Sequence, residues 1–342
     1  MLPTPDGTVG VTFMDEKTAR SRLNGGEAVT RIYSKNKAYT GLQYSTRIYV
    51  GDYAFSNSIE ALAQEANGVK RIGVCRMDVD NLGQAFVAGF ERPEKATAQE
   101  REHFVTISRT AAFSRQMSLF FKCYINDILS GRFESKPALA VTVVYSGGDD
   151  VFLLGAWNDV VEAALRIRQA FTAFSCGALT ISAGLALVDD HYPVRLSAAA
   201  SGDLEDLAKQ APDKDAVCLF ESAHCYDWNT FTGRVLGEKK AALEAFFGAR
   251  GQERGTAFLY RTLDLLRTAQ DPKDGKLQLA RYAYLLARLE PPRTSPAFGA
   301  YRTFADKMYR WALNKTDRAE LITAIYLHVY ENREGDTDGI QQ

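Results

Sequence analysis

Cysteine is scarce in this 342-residue chain, and the few it has are scattered: Cys75, Cys123, Cys176, Cys218 and Cys225 form no C-x-x-C pair. An odd number of thiols without a secretory leader fits reduced, mostly buried cysteines rather than a disulfide framework. Cys218 and Cys225 bracket His224, but no fourth ligand stands at the spacing of a structural zinc site. Histidine is equally thin. His103, His191, His224 and His328 are far apart, and no His-Asp dipeptide exists to seed a metal phosphohydrolase centre. There is no G-x-x-x-x-G-K-[ST] phosphate loop and no G-x-S-x-G elbow. No apolar run approaches the roughly 18 residues of a membrane span. The first residues, MLPTPDGTVGVTFMDEK, lack the basic start and apolar core of a signal peptide. Charge of one sign is missing too: 41 Lys+Arg stand against 42 Asp+Glu, so the total demands neither nucleic acid nor an acidic membrane. These absences predict a cytoplasmic chain with no membrane partner.

What is present is ordinary globular material, 46% hydrophobic and 24% charged, at a length that suggests two or three domains. Residues 1–68 read as the end of a preceding linker or insert region. They hold short β-type runs at 29–33 and 46–50 and a helical stretch at 58–66, separated by Gly, Asn and Ser. From residue 69 the periodicity sharpens. A strand at 71–79 ends in acidic residues, and a long helix is predicted at 101–129. Strands at 138–145 and 151–155 flank Ser146-Gly147-Gly148-Asp149-Asp150; a helix at 156–174, a strand at 179–188, a helix at 195–210 and a strand at 216–220 follow. The order β-α-β-β-α-β, plus one helix and strand, is the ferredoxin-like split unit. The fold class is therefore α+β, with this domain at 69–232. Strand signals then stop. Amphipathic helical patterns at 239–247, 257–268, 277–289, 301–313 and 317–330, punctuated by Asp271-Pro272 and Pro291-Pro292, predict an all-α domain at 233–342 with a frayed polar tail. The helical domain is basic and the α/β part acidic.

Two acidic clusters fall at the ends of strands that this topology makes neighbours: Asp78 and Asp80 after the first strand, Asp149 and Asp150 in the hairpin. Carboxylates brought together raise one another's pKa unless a cation lies between them. A hard divalent ion, Mg²⁺ or Mn²⁺, suits an all-oxygen set, and two such ions can clamp the oxygens of a phosphoryl transfer. Gly147 and Gly148 are expected to take positive φ in the hairpin and to let a nucleotide approach. Lys209 and Lys214, after the last helix, are candidates to reach a triphosphate as point charges. The bland alternatives are a solvated Gly-Asp turn and surface lysines. The aromatic stretch 113–124 has helical spacing and reads as core, and Arg109, Arg115 and Lys122 on that helix read as solvated.

RMDVDNLG, FSRQMSLFFKCYIND, YSGGDDVFLLGAW, ISAGLAL and LEDLAKQAPDKDAVCLF together resemble, in order and spacing, the second Palm domain of the large subunit of type III-A CRISPR effector complexes. The helical remainder resembles that family's C-terminal domain. The resemblance implies a GGDD Palm that converts ATP into cyclic oligoadenylates when the complex binds target RNA. It implies Asp149 and Asp150 as catalytic metal ligands, Asp78 as the strand-end metal ligand and Lys209 as the phosphate-side lysine. It places Asn81, Leu82, Gly83, Gly147, Gly148, Lys209 and Lys214 with the nucleotide. The implied partners are other effector subunits, crRNA and target RNA.

Family members usually begin with an HD nuclease, a first Palm and often a zinc-binding insert, none of which is in this sequence. The expectation is a split subunit or a truncated chain whose first Palm comes from another polypeptide or a missing N-terminal half. Two other readings remain open. A diguanylate cyclase shares the acidic strand end and hairpin, but Phe86 and Lys95 stand where that family's guanine-reading Asn and Asp would be. A scaffold role would have the basic helical domain bind RNA and protein partners beside an inactive Palm.

Overall fold

A computed structural model describes residues 2–333 apart from 5–6, 28, 43–44, 96, 133–134, 249–255 and 270–274. In chain order the elements are β1 (Leu2–Thr4), β2 (Gly7–Val9), α1 (Glu16–Asn24), β3 (Ile32–Lys35), β4 (Ser45–Ile48), α2 (Ile59–Gln64), β5 (Ile72–Val79), α3 (Leu82–Ala88), α4 (Ala98–Glu102), α5 (Ile107–Leu119), α6 (Ile125–Leu129), β6 (Val141–Gly147), β7 (Asp150–Ala156), α7 (Trp157–Phe174), β8 (Ile181–Val188), α8 (Val194–Ala208), β9 (Ala216–Leu219), β10 (Cys225–Asp227), α9 (Ala241–Gly248), α10 (Thr256–Thr268), α11 (Gly275–Arg288), α12 (Phe298–Leu313) and α13 (Lys315–Asn332). Two π-helical segments, Phe120–Tyr124 and Thr230–Lys240, run into α6 and α9. The Asp271-Pro272 punctuation and most of the polar tail lie outside the described residues.

The chain divides into two compact units, residues 1–50 and 51–342. The first holds an antiparallel β1–β2 pair, a parallel β3–β4 pair and α1, whose N-cap Asp15 accepts from the Thr18 amide. The second opens earlier than the predicted boundary at 68. An isolated bridge pairs Ala54 with Thr142, and α2 buries Leu62 and Ala63 against the sheet.

The sheet of the second unit has the order β10-β9-β8-β5-β7-β6. Strand β5 runs antiparallel to both β7 and β8, and β8 runs parallel to β9. Without β9 and β10, this is the predicted ferredoxin-like sheet. Central β5, IGVCRMDV, is apolar on both faces over Ile72–Cys75, where both faces are covered, and charged at Arg76 and Asp78 on one face toward its end. Its even-numbered residues Ile72 and Val74 pack with Leu62, Leu154, Leu204 and Ala208 under α2 and α8. Its odd-numbered residues Cys75, Met77 and Val79 join the larger core with α7 and the aromatic cluster of Phe120, Phe121 and Phe171.

Three differences from the sequence expectations have local causes. The long helix predicted at 101–129 is broken: α5 begins at Ile107, where the Thr106 hydroxyl caps the Arg109 amide. Strand β6 starts later, at Val141, and reaches Gly147, with a register shift between Val143 and Tyr145. Short α3 and β10 carry too few residues for a periodic signal.

The larger core continues from α7 through Trp228, Phe231 and Val235 to Leu243, Leu321 and Ile325 of the helical region. Trp228 donates its indole N–H to the Ile181 carbonyl at 2.8 Å. Lys239, whose side chain is fully buried, meets Glu320 at 2.7 Å and Asp317 at 3.0 Å. That pairing, shared with Arg234 at 2.9 Å from Glu320, holds the second π-helical segment to α13.

Helix α8 lies directly on β8 at Gly184, where an added Cβ would stand 2.2 Å from the Glu205 nitrogen and 2.2 Å from the Ser201 carbonyl oxygen. Both obstacles are backbone and cannot rotate away. Gly184→Ala is therefore expected to lower the urea midpoint of unfolding by the equivalent of at least about 1–3 kcal/mol, the cost of overpacking.

Candidate active site

Pairing between β5 and β7 sets Asp78 opposite Asp150, and pairing within the β6–β7 hairpin sets Gly147 opposite Asp150. Asp78 lies on the same face of β5 as Arg76, the face toward α8, by simple alternation. Gly148 and Asp149 form the two-residue turn. Only Gly148 has positive φ, +70°, the mark of a II′ turn with glycine at its first central position. The expectation of positive φ at Gly147 is corrected: it belongs to β6 with ordinary strand backbone. No heavy atom lies within 4 Å of a Cβ built at Gly148, so that glycine answers a backbone demand, not a lack of room.

The acidic group is in electrostatic conflict. Burial, then the neighbouring Asp78 charge, pushes the Asp149 carboxyl above the ordinary carboxylate range. Burial, then Asp149 and Asp78, do the same to Asp150, partly offset by the Tyr145 hydroxyl. Tyr145 in turn is raised, first by the Asp150 charge. The cation that answers Asp78 belongs to the protein: Lys209 Nζ lies 2.5 Å from Asp78 Oδ2 and 2.6 Å from Glu205 Oε1. Arg76 approaches the same Glu205 at 3.6 Å. Burial works to lower the Lys209 pKa, but its hydrogen bonds to Asp78 and Glu205 outweigh it and leave the ammonium strengthened.

The donor set is all oxygen, two of its carboxylates repel, and the third already holds a cationic group, so the residues fit a hard divalent ion. They are not drawn as close as the tightest acidic group: among the described residues, only Asp189, Asp190 and His191 bring three ligand atoms within 4.8 Å of one another. That trio, exposed at Asp189 and His191, is engaged with Arg71, 2.6 Å from Asp189.

Asp80 does not join the cluster. Its buried carboxylate accepts from Thr180 Oγ1 at 2.8 Å, Ser182 Oγ at 2.8 Å and the Asp215 amide at 3.1 Å. It ties the end of β5 to β8 and to the start of β9. Asn81 follows in the left-handed region (φ 55°) and accepts from Lys214 Nζ at 2.7 Å. The structure thus groups Lys214 with Asn81, Leu82 and Gly83 at the start of α3, and Lys209 with Asp78.

Sequence reasoning missed Glu205, Arg76 and Tyr145. Glu205 and Lys209 stand at i,i+4 on one helix, a legible ion-pair signal. Arg76 sits two residues before Asp78, and strand alternation places both on one face. Tyr145 left no such trace: the irregularity after Val143 turns it opposite Phe152, onto the face of Asp150.

The geometry is shared with known proteins. Residues 71–218 match the family model for the second palm domain of Cas10/Cmr2, and residues 244–334 match that for the second helical domain of the Cmr2 subunit of the CRISPR RNA silencing complex. The CRISPR system single-strand-specific deoxyribonuclease Cas10/Csm1 (subtype III-A) of Mycobacterium tuberculosis is 38% identical over 98% of this chain and 41% of its own length. Its counterpart from Enterococcus italicus is 38% identical over 90% of this chain and 37% of its own length. This chain therefore spans about two fifths of these curated relatives. A crystal structure of a Csm1–Csm4 cassette in complex with cA4 superposes with a TM-score of 0.64 at 25% identity, covering 89% of this chain and 44% of that one. With both family models met in order and the GGDD hairpin set against Asp78, this chain belongs to the Cas10/Csm1 family of type III-A CRISPR systems, in the part that carries the second palm and second helical domains.

Proposed function

We propose that this chain is a metal-dependent nucleotidyltransferase that joins ATP into cyclic oligoadenylates within a type III-A effector complex switched on by target RNA. One observation carries the reading: the β5–β7 register that sets Asp78 against Asp150, beside Asp149. The cA4 held by the Csm1–Csm4 cassette supports it. In this reading residues 69–232 act as the Palm and 233–342 as the helical domain. Other effector subunits, crRNA and target RNA are the partners, and a separate chain or N-terminal half supplies the first Palm.

The reaction forms a bond from a ribose hydroxyl oxygen of one ATP to the α-phosphorus of the next. It breaks the bond to pyrophosphate, which leaves as the hydroxyl loses its proton. Asp78, Asp149 and Asp150 would hold Mg²⁺ or Mn²⁺, which when bound supplies charge neutralisation and polarises the attacking hydroxyl. Lys209 stays tethered to Glu205 when Asp78 changes partner, and brings one positive charge to the phosphates. Lys214, beside Asn81, Leu82 and Gly83, brings another. Gly147 and Gly148 keep the hairpin free of side chains where the nucleotide lies.

Guanine recognition is disfavoured by chemistry as well as by spacing. Phe86 is spent on Phe113, with ring centroids 4.8 Å apart. Lys95 lines a cavity of about 330 Å³ with Arg92, Glu100, His103 and Phe104. A lysine offers donors where the guanine edge needs an acceptor. The scaffold reading keeps one observation in its favour, the Lys209 ammonium already seated on Asp78.

The deciding experiment assembles the chain with its N-terminal partner and a crRNA-loaded complex, supplies labelled ATP, Mg²⁺ or Mn²⁺ and target RNA, and resolves products by chromatography and mass. Cyclic adenylates are expected, and they should vanish with Asp149→Ala plus Asp150→Ala. A complex that binds target RNA yet makes no adenylate would leave a scaffold with a silent Palm; product from GTP alone would favour the diguanylate reading.

Two further outcomes follow from the electrostatics. Because the Asp149 and Asp150 pKa values are raised in the fold, their ionised forms cost stability, and that cost disappears as pH falls below the unfolded carboxylate pKa. Asp149→Asn plus Asp150→Asn should therefore raise Tm of the metal-free protein at pH 7, by the equivalent of less than about 1 kcal/mol given solvent screening, while abolishing synthesis. Calorimetry that showed a loss of Tm would contradict the conflict described for this cluster. Lys209→Met should destabilise by leaving Glu205 buried beside too little positive charge. Adding Glu205→Gln should restore the urea midpoint but not the product, separating the lysine's structural role from its phosphate role.

A further inference from the structure

The cysteines stand outside the proposed reaction, yet two of them meet. Strand β10 pairs antiparallel with β9, and Cys225 lies directly opposite Cys218. The Leu219 amide donates to the His224 carbonyl at 2.9 Å and the Trp228 amide to the Asp215 carbonyl at 3.1 Å. Those bonds put the hydrogen-bonded positions of the ladder at 219–224 and 215–228. Cys218 and Cys225 therefore occupy a non-hydrogen-bonded pair, where Cα atoms stand about 4.5 Å apart and side chains come closest. That separation is inside the range a disulfide spans, about 4.4–6.8 Å. Both side chains point to the α8 face, with Ala208 and Leu204. Cys218 is fully buried, whereas Cys225 is half-buried on the outermost strand. Cys218 Sγ donates to the Glu221 carbonyl at 3.6 Å; the proximity of the two thiols lowers the Cys225 pKa and, with burial, raises that of Cys218.

We propose that Cys218 and Cys225 form a redox pair that peroxide converts reversibly into a cross-strand disulfide, with Cys225 as the attacking thiolate and Cys218 as the resolving thiol. The Cys225 thiolate sulfur bonds to one oxygen of hydrogen peroxide, the O–O bond breaks, and the departing hydroxide takes up the proton that the thiol had released, so that a sulfenic acid and water result. Cys218 Sγ then attacks that sulfur; the S–S bond forms, the S–O bond breaks, and the departing hydroxide takes the Cys218 proton as a second water. Two thiols are oxidised by two electrons and one peroxide is reduced to two waters. Cys225 is the accessible partner that meets the oxidant, and Cys218 needs access only to Cys225. The pair lies under the helix that carries Glu205 and Lys209.

The test exposes the full chain to hydrogen peroxide, alkylates remaining thiols after unfolding, digests without reductant and reads peptides by mass. The expected result is a linked Cys218–Cys225 pair two hydrogens lighter than the free peptides, lost on treatment with dithiothreitol. Cys225→Ser should remove the link, and Cys218→Ser should leave Cys225 as a sulfenic acid that dimedone captures. Exposed Cys176 reports in the same sample that oxidant was present. The proposal is overturned if Cys218 and Cys225 both remain alkylated at peroxide levels that oxidise Cys176, or if Cys225 passes to the sulfinic acid with no linked peptide. The unmutated chain decides between these outcomes without any variant having to fold.

Discussion

Strand β5 is hydrogen-bonded along both edges and packed on both faces, and the groups discussed here take their positions from its register. Its two ladders set Asp78 against Asp150 on one side and against Ser182 on the other. Because side chains alternate with period two, a slip of one residue would send Asp78 into the apolar layer of Cys75, Met77 and Val79. The slip is resisted on both faces at once. Asp80, locked by Thr180, Ser182 and the Asp215 amide, adds a polar pin at the end of the strand where apolar packing thins.

Helix α8 is the second element that the site depends on. Gly184 lets its backbone settle onto β8 without an intervening side chain, and that close approach is what brings Lys209 to Asp78. The result is a chain of alternating charge, Arg76, Glu205, Lys209 and Asp78, on one sheet face. Its members satisfy one another, whereas among the described residues Asp149 and Asp150 on the adjoining hairpin form no ion pair, and the Lys209 charge only partly offsets the burial and repulsion that raise Asp149. A fold selected for stability alone would not leave two raised carboxylates on a turn. Such conflict is the usual mark of a site whose missing charge comes from a ligand, and it is the physical reason that substitution of these aspartates should stabilise the protein.

Much of this was legible in the order of residues. The alternation and β-branched runs located the principal strands, the turn chemistry of Gly148 located the hairpin, and the order of elements placed the two acidic segments on neighbouring strands. The i,i+4 spacing of Glu205 and Lys209 was there to be read as an ion pair. Asp80 was the misleading residue: in sequence it is as acidic and as close to the strand end as Asp78, and only the donors that converge on it from β8 and the start of β9 make it a structural pin. Gly147 misled in the same way, since adjacent glycines look alike until a backbone angle separates them.

The division between the two levels follows from range. Local sequence determined what each segment is, because periodicity, caps and turn residues act over a few positions; it thereby determined the strands, the hairpin and the acidic candidates. Tertiary structure decided which groups meet: Lys209 with Asp78 across 131 positions of chain, Tyr145 with Asp150 through a shifted register, and Cys218 with Cys225 across a ladder whose short outer strand carries no periodic signal. Those meetings depend on pairing register and helix–sheet approach, which are set by the packing of the whole core and not by any single segment.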